Sequence, residues 1–447
     1  MPSSKPTAYP SDWLAGEHLY WPESVWRKLQ LVALQKHLRN AAKSELYRHK
    51  LPRMVRSVDA LHVLATTSKD DVTAIGRDGL ACPKRDLREW VTTSGTTGAP
   101  LMVPLASEDM QRLAANEAVA LSVAGIKRGM TVLSLVAMDR QFVAGLAYWL
   151  GVQKLGAACI RAGPQAAYQF ESLVALLQRY RPEFIITVPT IITAHAVASV
   201  ARVKERAFAG VKGVVCIGEP IRRLDGKLNS IGSALERIFP KASILSTYAT
   251  TETCATFAEG PNCGGGHLNP QMAIVELLND AGLPVEAGQP GEVVITPLGS
   301  RALPLVRFRT GDIAMLLPGR CPCGRTTPRL SAILGRKNQM LKVRGVSLFP
   351  GAIIDLILAQ RHVEDCLVSA QAANELSDLV VITVALRRDT AEARRDVTTR
   401  MQSLLRMKPK MAFVEIETLR RMQHATGSRK PLRFIDERVG AGVGALR

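Results

Sequence analysis

Aromatic side chains are scarce in this sequence of 447 residues, at 5 %, and long apolar runs are absent. The stretch 184–200 carries no Asp, Glu, Lys or Arg, but Pro189, His195 and several threonines interrupt it. It therefore falls short of the roughly 20 apolar residues that a membrane-spanning helix needs. The first 20 residues are polar and contain no apolar segment of a secretory signal. These absences predict a soluble protein of the cytoplasm.

Acidic residues are outnumbered, 39 against 58 lysines and arginines, which leaves a formal net charge of +19. A nucleic-acid-binding protein is expected to cluster its basic residues on one element, with aromatic residues between them. Here the basic residues are spread along the chain. The charge fits a basic surface that only keeps the protein in solution. It equally fits an acidic partner, such as a nucleotide, coenzyme A or an acyl carrier protein.

Short apolar runs typical of strands alternate with helical patterns between residues 132 and 248. This alternation predicts an α/β layer fold with largely parallel strands. The strands are expected at 132–136, 157–160, 184–188, 214–217 and 244–248, and the helices at 142–154, 168–179, 190–203 and 225–238, after a first helix over 24–50.

The pattern changes after about residue 265, because strand-like runs then follow one another without helices, which predicts an antiparallel, barrel-like portion. The last part of the chain predicts a small α+β domain. We therefore expect a large α/β domain, 1–335, and a small C-terminal domain, 336–447. The expected strands of the barrel-like portion are 272–277, 291–296, 304–308 and 313–317, and the expected elements of the small domain are 340–343, 350–360, 366–370, 379–385, 390–406 and 413–418.

One loop combines five hydroxyl side chains with two glycines, between the strand-like runs 89–91 and 101–104. Glycine lets the backbone approach an anion closely, while N–H and hydroxyl groups donate hydrogen bonds to it. The loop lacks the lysine and the following helix of a Walker A motif, so it predicts a different phosphate-binding loop, with a plain polar turn as the alternative. Its residues are Thr92, Thr93, Ser94, Gly95, Thr96, Thr97, Gly98, Ala99 and Pro100.

Further motifs follow this loop in a fixed order. They are Gly218-Glu219-Pro220, Tyr248-Ala249-Thr250-Thr251-Glu252, Thr310-Gly311-Asp312, Gly335-Arg336, and Lys430 in a basic tail. Taken together, these motifs resemble the AMP-forming carboxylate ligases, a superfamily of acyl- and aryl-CoA synthetases and adenylation domains. The phrases at 303–312, 321–325 and 344–350 resemble its phenylacetate-CoA ligase branch, and the resemblance spans about residues 25–437.

The resemblance implies an enzyme that adenylates an aryl or heteroaryl acid with MgATP and passes the acyl group to a thiol. Coenzyme A is the acceptor that the branch implies. The phosphopantetheine of an acidic carrier protein is the alternative, because this chain carries +19. A nucleotide-binding protein without catalysis is a further alternative. Family behaviour also implies a homodimer.

The resemblance assigns a role to each motif. The loop from Thr93 to Gly98 holds the β- and γ-phosphates, and Gly218, Glu219 and Pro220 contribute to the nucleotide site. Tyr248 lies against adenine, and Asp312 accepts hydrogen bonds from the ribose hydroxyls. Thr251 and Glu252 serve the reacting phosphates, with Glu252 holding Mg²⁺. Arg336 contacts the ribose or phosphate, and Lys430 bridges the substrate carboxylate and the α-phosphate.

The small domain of such enzymes is mobile, and the resemblance places its hinge at Asn338, where the branch usually has Asp. Asparagine tolerates unusual backbone angles nearly as well as aspartate. The chain also has Ala99 where the phosphate loop often carries Lys. A lysine there only adds charge to donors already present, so adenylation does not depend on it.

The acid pocket is expected near Asp139, Arg140 and Phe142, with Ala249 as a further contact. The resemblance leads us to expect an aromatic and glycine-rich run before the helix at 142, and this chain has polar residues there instead. These polar groups favour an acid that is hydroxylated, aminated or heteroaromatic. A structural ion pair between Asp139 and Arg140 is the alternative.

The eight cysteines are scattered, and without an export signal they do not predict disulfides. Two short turns, Cys263-Gly-Gly-Gly-His267 and Cys321-Pro-Cys323, have spacings that suit a tetrahedral Zn²⁺ site of three thiolates and one imidazole. The resemblance supports bringing these two turns together, while two separate turns are the alternative. Cys254 is a spare candidate ligand. Four protein ligands would make the zinc structural.

Overall fold

The computed structural model describes residues 15–93, 100–165, 170–196, 208–343, 346–374, 377–405, 409–424 and 432–438. The chain divides into two compact units. The first comprises Met1–Thr310 with Ala314–Ile333, and the second comprises Gly311–Ile313 with Leu334–Arg447. No helix within the described ranges combines the length and apolarity required to cross a membrane. The cytoplasmic location stays a prediction.

The first unit begins with helices and a hairpin. Its first elements are α1 (Glu23–Ala41), α2 (Lys69–Ile75), β1 (Leu87–Thr92), β2 (Met102–Ala106) and α3 (Ser107–Val123). The predicted helix over 24–50 is wrong beyond Ala41. Ser44 ends it locally, because its hydroxyl donates to Gly79 O and accepts from Leu46 N, bonds that compete with a continued helix. Leu46 and Tyr47 then turn into the core.

The central part of the first unit is the predicted alternation of strands and helices. It comprises β3 (Thr131–Ser134), α4 (Val143–Leu155), β4 (Ala158–Arg161), α5 (Phe170–Tyr180), β5 (Phe184–Thr187), α6 (Pro189–Ala196), β6 (Gly213–Cys216), α7 (Ser230–Ile238) and β7 (Ser243–Thr250). The five strands pair in parallel in the order β4-β3-β5-β6-β7. The alternation therefore predicted the elements and their direction, although α7 begins five residues later than predicted and residues 168–169 and 197–203 of the predicted helices lie outside the described part of the chain. Helix α3, which precedes β3, is an additional helix.

Both faces of this parallel sheet are buried. Leu133, Ile185 and Val214 pack into one apolar cluster, and their neighbours Val132, Phe184 and Val215 pack into another. Alternate residues of a strand point to opposite faces, so each strand contributes to both clusters. Burying each of these side chains stabilises the fold by about 1.5–3 kcal/mol.

The parallel sheet continues into antiparallel strands β8 (Ala255–Glu259), β9 (Gly266–His267) and β13 (Arg329–Leu330). Between β9 and β13 lie β10 (Ala273–Leu278), β11 (Pro290–Pro297) and β12 (Phe308–Met315), of which β10 and β11 pair antiparallel.

The predicted strand 304–308 is wrong except for Phe308, and the predicted strand 313–317 overlaps the end of a longer strand, β12. Backbone groups just before β12 bond to side chains instead of to a neighbouring strand. Leu305 O bonds His37, and Val306 N donates to the Tyr47 hydroxyl.

The second unit contains β14 (Gly335–Arg336), β15 (Leu341–Val343), β16 (Val346–Leu348), α8 (Pro350–Leu358), β17 (Val363–Asn374), β18 (Ser377–Leu386), α9 (Ala391–Leu405), β19 (Lys410–Phe413), α10 (Ile416–His424) and β20 (Phe434–Asp436). Its four-stranded sheet has the order β19-β18-β17-β20. The predicted last element, 413–418, is wrong, since β19 ends at Phe413 and helix α10 begins at Ile416. The buried Leu419 and Gln423 give α10 its inward face.

Candidate active site and cysteine cluster

Strands β1 and β2 form an antiparallel hairpin that frames the predicted phosphate loop. Thr93 closes the base of the loop, because its N–H donates to Leu101 O at 3.0 Å and its hydroxyl accepts from Leu101 N at 2.9 Å. The remaining predicted loop residues lie outside the described part of the chain. They are Ser94, Gly95, Thr96, Thr97, Gly98 and Ala99.

Gly218, Glu219 and Pro220 follow the carboxyl end of β6, and Gly218 has a left-handed backbone with φ of 67°. The Glu219 carboxylate accepts from Thr190 N at 3.1 Å and from the Thr190 hydroxyl at 2.7 Å. Thr190 lies in the first turn of α6, where a carboxylate accepts hydrogen bonds from free backbone N–H groups and interacts favourably with the helix dipole. The Glu219 side chain thus holds a helix end beside the predicted nucleotide segment.

Strand β7 carries Tyr248, whose ring stacks on that of Phe257 in β8 with centroids 6.2 Å apart. The neighbouring Thr247 is anchored by hydrogen bonds, donating to Cys216 O at 3.0 Å and bonding the Tyr148 hydroxyl at 3.1 Å. Ala249 is exposed, and Tyr248 is half-buried. The hydrogen bonds of Thr247 and the packing of Tyr248 on Phe257 therefore hold β7 in place at the predicted adenine contact.

A tight turn follows β7 and carries Thr251 and Glu252, both half-buried. The hydroxyls of Thr250 and Thr253 bond each other at 2.7 Å across this turn, and Cys254 N donates to Thr250 O at 3.1 Å. Cys254 adopts a left-handed backbone with φ of 46°, which is uncommon for a residue with a Cβ. We call residues 250–254 the Glu252 turn.

The predicted acid-pocket segment follows β3 and contains two consecutive left-handed residues, Arg140 with φ of 54° and Gln141 with φ of 58°. Such backbone costs roughly 1–3 kcal/mol per residue and tends to occur at functional sites. Asp139 and Arg140 form an ion pair at 3.5 Å, with 67 % and 69 % of the side chains exposed. An ion pair this exposed stabilises the fold little. Phe142 is half-buried beside it.

Three of the predicted nucleotide and acid segments of the first unit lie at the same edge of the parallel sheet. The acid-pocket segment follows β3, Gly218-Glu219-Pro220 follows β6, and the Glu252 turn follows β7. These strands are parallel in one sheet, so all three segments lie at the carboxyl edge of that sheet. Open α/β sheets bind their ligands at this edge.

In the second unit, Asp312 and Arg336 face each other across β12 and β14. Arg336 Nε lies 3.4 Å from Asp312 Oδ1, and the Asp312 side chain is 12 % exposed. The pair thus places a carboxylate acceptor beside a guanidinium donor. Asn338 follows β14, and its carbonyl accepts from Arg438 Nη2 at 3.0 Å. Lys430 lies outside the described residues.

The two cysteine turns meet in the first unit. One ligand atom from each of Cys263, His267, Cys321 and Cys323 lies within 4.8 Å of the others, and Cys323 Sγ lies 3.3 Å from His267 Nε2. Strand β9 holds His267 opposite Arg329 of β13. The two turns are thus together, as the resemblance implied, and Cys254 is not part of the cluster.

The surroundings of the cluster prepare His267 to be a ligand. Its Nδ1 bonds the Thr327 hydroxyl at 3.0 Å, which directs Nε2 toward the thiols. Burial, with the charges of Arg325 and Arg329, lowers the pKa of His267 to about 3, so the imidazole is neutral. Three cysteine sulfurs, which bind zinc as thiolates, and one neutral imidazole are the donors of a closed tetrahedral zinc site.

Comparison with known proteins adds to this geometry. Residues 29–298 match the AMP-binding enzyme family. The chain belongs to this family. This AMP-binding enzyme is 29 % identical to a phenylacetate-coenzyme A ligase of Thermus thermophilus, over 69 % of this chain and 68 % of that protein. It is 28 % identical to one of Pseudomonas putida, over 81 % and 82 % of the two chains.

A crystal structure of 2-hydroxyisobutyryl-CoA ligase shares the fold, with a TM-score of 0.82 at 20 % identity, covering 98 % of this chain and 94 % of that chain. These similarities confirm the resemblance to the phenylacetate-CoA ligase branch and the predicted fold class.

Proposed function

We propose that this AMP-binding enzyme is an AMP-forming aryl- or heteroaryl-CoA ligase. The carboxylate oxygen of the acid attacks the α-phosphorus of ATP, and pyrophosphate leaves with the bonding electrons. The sulfur of coenzyme A then attacks the acyl carbonyl carbon, and AMP leaves. The convergence of three segments at one edge of the parallel sheet carries this proposal, together with the phenylacetate-CoA ligase relatives.

The first step brings two anions together, so donors and positive charge must surround the phosphates. The loop from Thr93 to Gly98 would bind the β- and γ-phosphates, and Lys430 would bridge the carboxylate and the α-phosphate. Glu252, with Thr251, would hold Mg²⁺, a hard cation that prefers carboxylate oxygen and that neutralises the phosphates when bound.

The nucleoside would be held by shape and by hydrogen bonds. Tyr248 would lie against adenine on the face away from Phe257, beside the backbone of Gly218, Glu219 and Pro220. Asp312 would accept from the ribose hydroxyls, and Arg336 would contact the ribose or phosphate. The pairing of Asp312 with Arg336 supports this assignment, because it places a carboxylate acceptor and a guanidinium donor side by side.

The acid would bind beside the strained segment of Asp139, Arg140 and Phe142, with Ala249 opposite. The exposed ion pair supports an acid with polar substituents, since the pair contributes little to the stability of the fold. The small C-terminal domain would turn about Asn338 between the two steps.

A carrier protein is a second candidate for the thiol acceptor. The observation that favours it is the net charge of +19, which suits an acidic protein partner. A homodimer is a further proposal, which sedimentation of the purified protein would test.

We also propose that Cys263, His267, Cys321 and Cys323 hold a structural zinc ion. The hydrogen bond between His267 Nδ1 and the Thr327 hydroxyl and the neutral imidazole support this proposal. Zinc there would tie the turn after β8 to the turn before β13.

Pyrophosphate release from MgATP tests the function. A panel of aromatic, heteroaromatic and aliphatic acids would be assayed without and with coenzyme A, using wild type and Lys430→Ala. We expect release with one acid class, a further rise with coenzyme A, and loss of adenylation in the variant. A rise only with a carrier protein would identify that acceptor. Nucleotide binding without release for any acid would favour the non-catalytic alternative.

A further inference from the structure

Helix α3 buries four polar side chains along one face, Asp109, Arg112, Asn116 and Glu117. Buried polar groups are costly unless they are hydrogen-bonded. None of these residues belongs to a motif of the predicted active site, so their burial needs another explanation.

Arg112 is 2 % exposed and binds backbone carbonyls from three separate segments. Nε donates to Leu298 O at 2.6 Å, and Nη2 donates to Met272 O at 2.7 Å. Nη1 donates to two successive carbonyls of the Glu252 turn, Thr253 O at 3.2 Å and Cys254 O at 2.9 Å. A planar guanidinium can hold all four at once because its donors have a fixed geometry.

The Glu252 turn needs this support. Its last residue, Cys254, has a left-handed backbone, which persists only where the surroundings enforce it. Arg112 binds the carbonyls of Thr253 and Cys254, so it fixes the peptide group before Cys254 and the peptide group after it. The Glu252 carboxylate is thereby attached to a rigid backbone.

A carboxylate lies near Arg112 on the same helix, and the two charges attract each other. Asp109, one helical turn earlier, accepts from the N–H groups of Arg301 and Ala302 at 2.7 and 2.9 Å. Asp109, Arg112, Glu252 and Cys254 all line one small cavity. The guanidinium therefore lies directly behind the turn that presents Glu252.

We infer that Arg112 is a positioning residue for Glu252 and sets the affinity of the active site for Mg²⁺. This inference rests on the proposed function, because it takes Glu252 as the magnesium ligand. Residues that orient a metal ligand typically contribute 10- to 100-fold to metal affinity. A displaced turn would also slow adenylation, since small misplacements of reacting groups are costly.

The test has two readouts while free Mg²⁺ is varied: acid-dependent pyrophosphate release at fixed ATP, and the affinity for ATP measured by calorimetry without acid. Arg112→Lys keeps the charge but loses the planar fork, so we expect half-saturating Mg²⁺ to rise about 10- to 100-fold. Arg307→Lys is the matched control. Arg307 is also buried, binds His62 O at 2.9 Å and pairs with Glu276 at 2.9 Å, away from the Glu252 turn.

Both variants should melt at a lower temperature than wild type, but only Arg112→Lys should change the Mg²⁺ dependence. An unchanged dependence in folded Arg112→Lys overturns the inference. If that variant does not fold, Thr253→Val serves instead, because it removes the 2.7 Å hydroxyl bond of the same turn and keeps the side-chain shape. The same rise is expected for it, and wild-type behaviour would overturn the inference.

Two further measurements separate this inference from the proposed function. Wild type must release pyrophosphate in an acid- and Mg²⁺-dependent manner, and Glu252→Gln must raise the half-saturating Mg²⁺. Failure of either refutes the proposed function or the assigned magnesium ligand. If both succeed and folded Arg112→Lys still shows the Mg²⁺ dependence of wild type, only the positioning role of Arg112 is refuted.

Discussion

Glu117 in helix α3 should make the stability of this enzyme fall as pH rises, and Glu117→Gln should remove that dependence. The carboxyl is 2 % exposed, and burial raises its pKa to about 7, against a smaller lowering by hydrogen bonds from Thr256 and Asn116. Tyr148 of α4 also faces it, and the charge of Glu117 helps to raise the pKa of that phenol. A proton is therefore held in the folded state at pH values where the unfolded chain has released it.

The magnitude follows from the two pKa values. The ordinary value of 4.5 applies to the unfolded chain and about 7 to the folded protein. Since one pKa unit corresponds to about 1.4 kcal/mol, the difference amounts to about 3 kcal/mol. Because the folded pKa is the raised one, this stabilisation is fully present below pH 4.5 and is lost as pH rises through 7.

Urea unfolding of wild type and Glu117→Gln at pH 5, 6, 7 and 8 tests this directly. Other titrating groups are common to both proteins and cancel in the difference. We therefore expect the free energy of unfolding of the variant, relative to wild type, to increase by about 2–3 kcal/mol between pH 5 and pH 8.

A difference that stays constant from pH 5 to pH 8 would refute the reasoning. Glu259→Gln is the control, because Glu259 is also fully buried but pairs with Arg222 at 2.8 Å and accepts from Ser246 N at 3.0 Å. Removing one partner of a buried ion pair costs about 3–5 kcal/mol. This variant should therefore be less stable than wild type at every pH. At pH 8 its change in the free energy of unfolding should have the opposite sign to that of Glu117→Gln.

Three other predictions follow from single contacts. Cys323→Ser should reduce bound zinc from about one per chain and lower the melting temperature, and wild type purified without chelator but lacking zinc would contradict the site. Gly145→Ala should destabilise by about 1–3 kcal/mol in urea unfolding, because its Cβ would lie 2.1 Å from Ala137 O, and unchanged stability would contradict this packing. Arg438→Lys should slow thioester formation more than adenylation in rapid-quench assays, because Arg438 Nη2 binds the carbonyl of the proposed hinge residue Asn338, and equal slowing would argue against a hinge role.

The sequence predicted the helices and strands whose apolar residues follow one clear pattern. It missed those whose polar side chains bind residues far away in the chain. The parallel strands appear as short apolar runs because both of their faces are buried. Helix α3 has no such signature, since it buries Asp109, Arg112 and Glu117 among its apolar residues. A helix that is buried on most sides and partly polar lacks the stripe that predicts an amphipathic helix.

The candidate site divides in the same way. The ligand types within each cysteine turn were predictable, because ligand spacing is a local property, whereas the meeting of the two turns was implied only by the family resemblance. The use of the Glu219 carboxylate was not, because its partner Thr190 lies 29 residues earlier and reaches it only through the parallel sheet. Sequence motifs thus identify segments of the site, whereas long-range contacts decide which atoms of a segment remain for a ligand.

Helix α3 shows why this distinction matters for function. Asp109 binds the backbone at 301–302, Arg112 binds the Glu252 turn, and Glu117 bonds Thr256 next to the proposed adenine strand. Of these contacts, those of Arg112 fix the backbone of the turn whose side chain, Glu252, would hold Mg²⁺, and that of Glu117 lies on β8, the strand paired with β7. Because buried polar contacts have strict geometry, a substitution on α3 displaces such a segment instead of only loosening the core. Activity should therefore be sensitive to α3, although none of its residues belongs to a family motif.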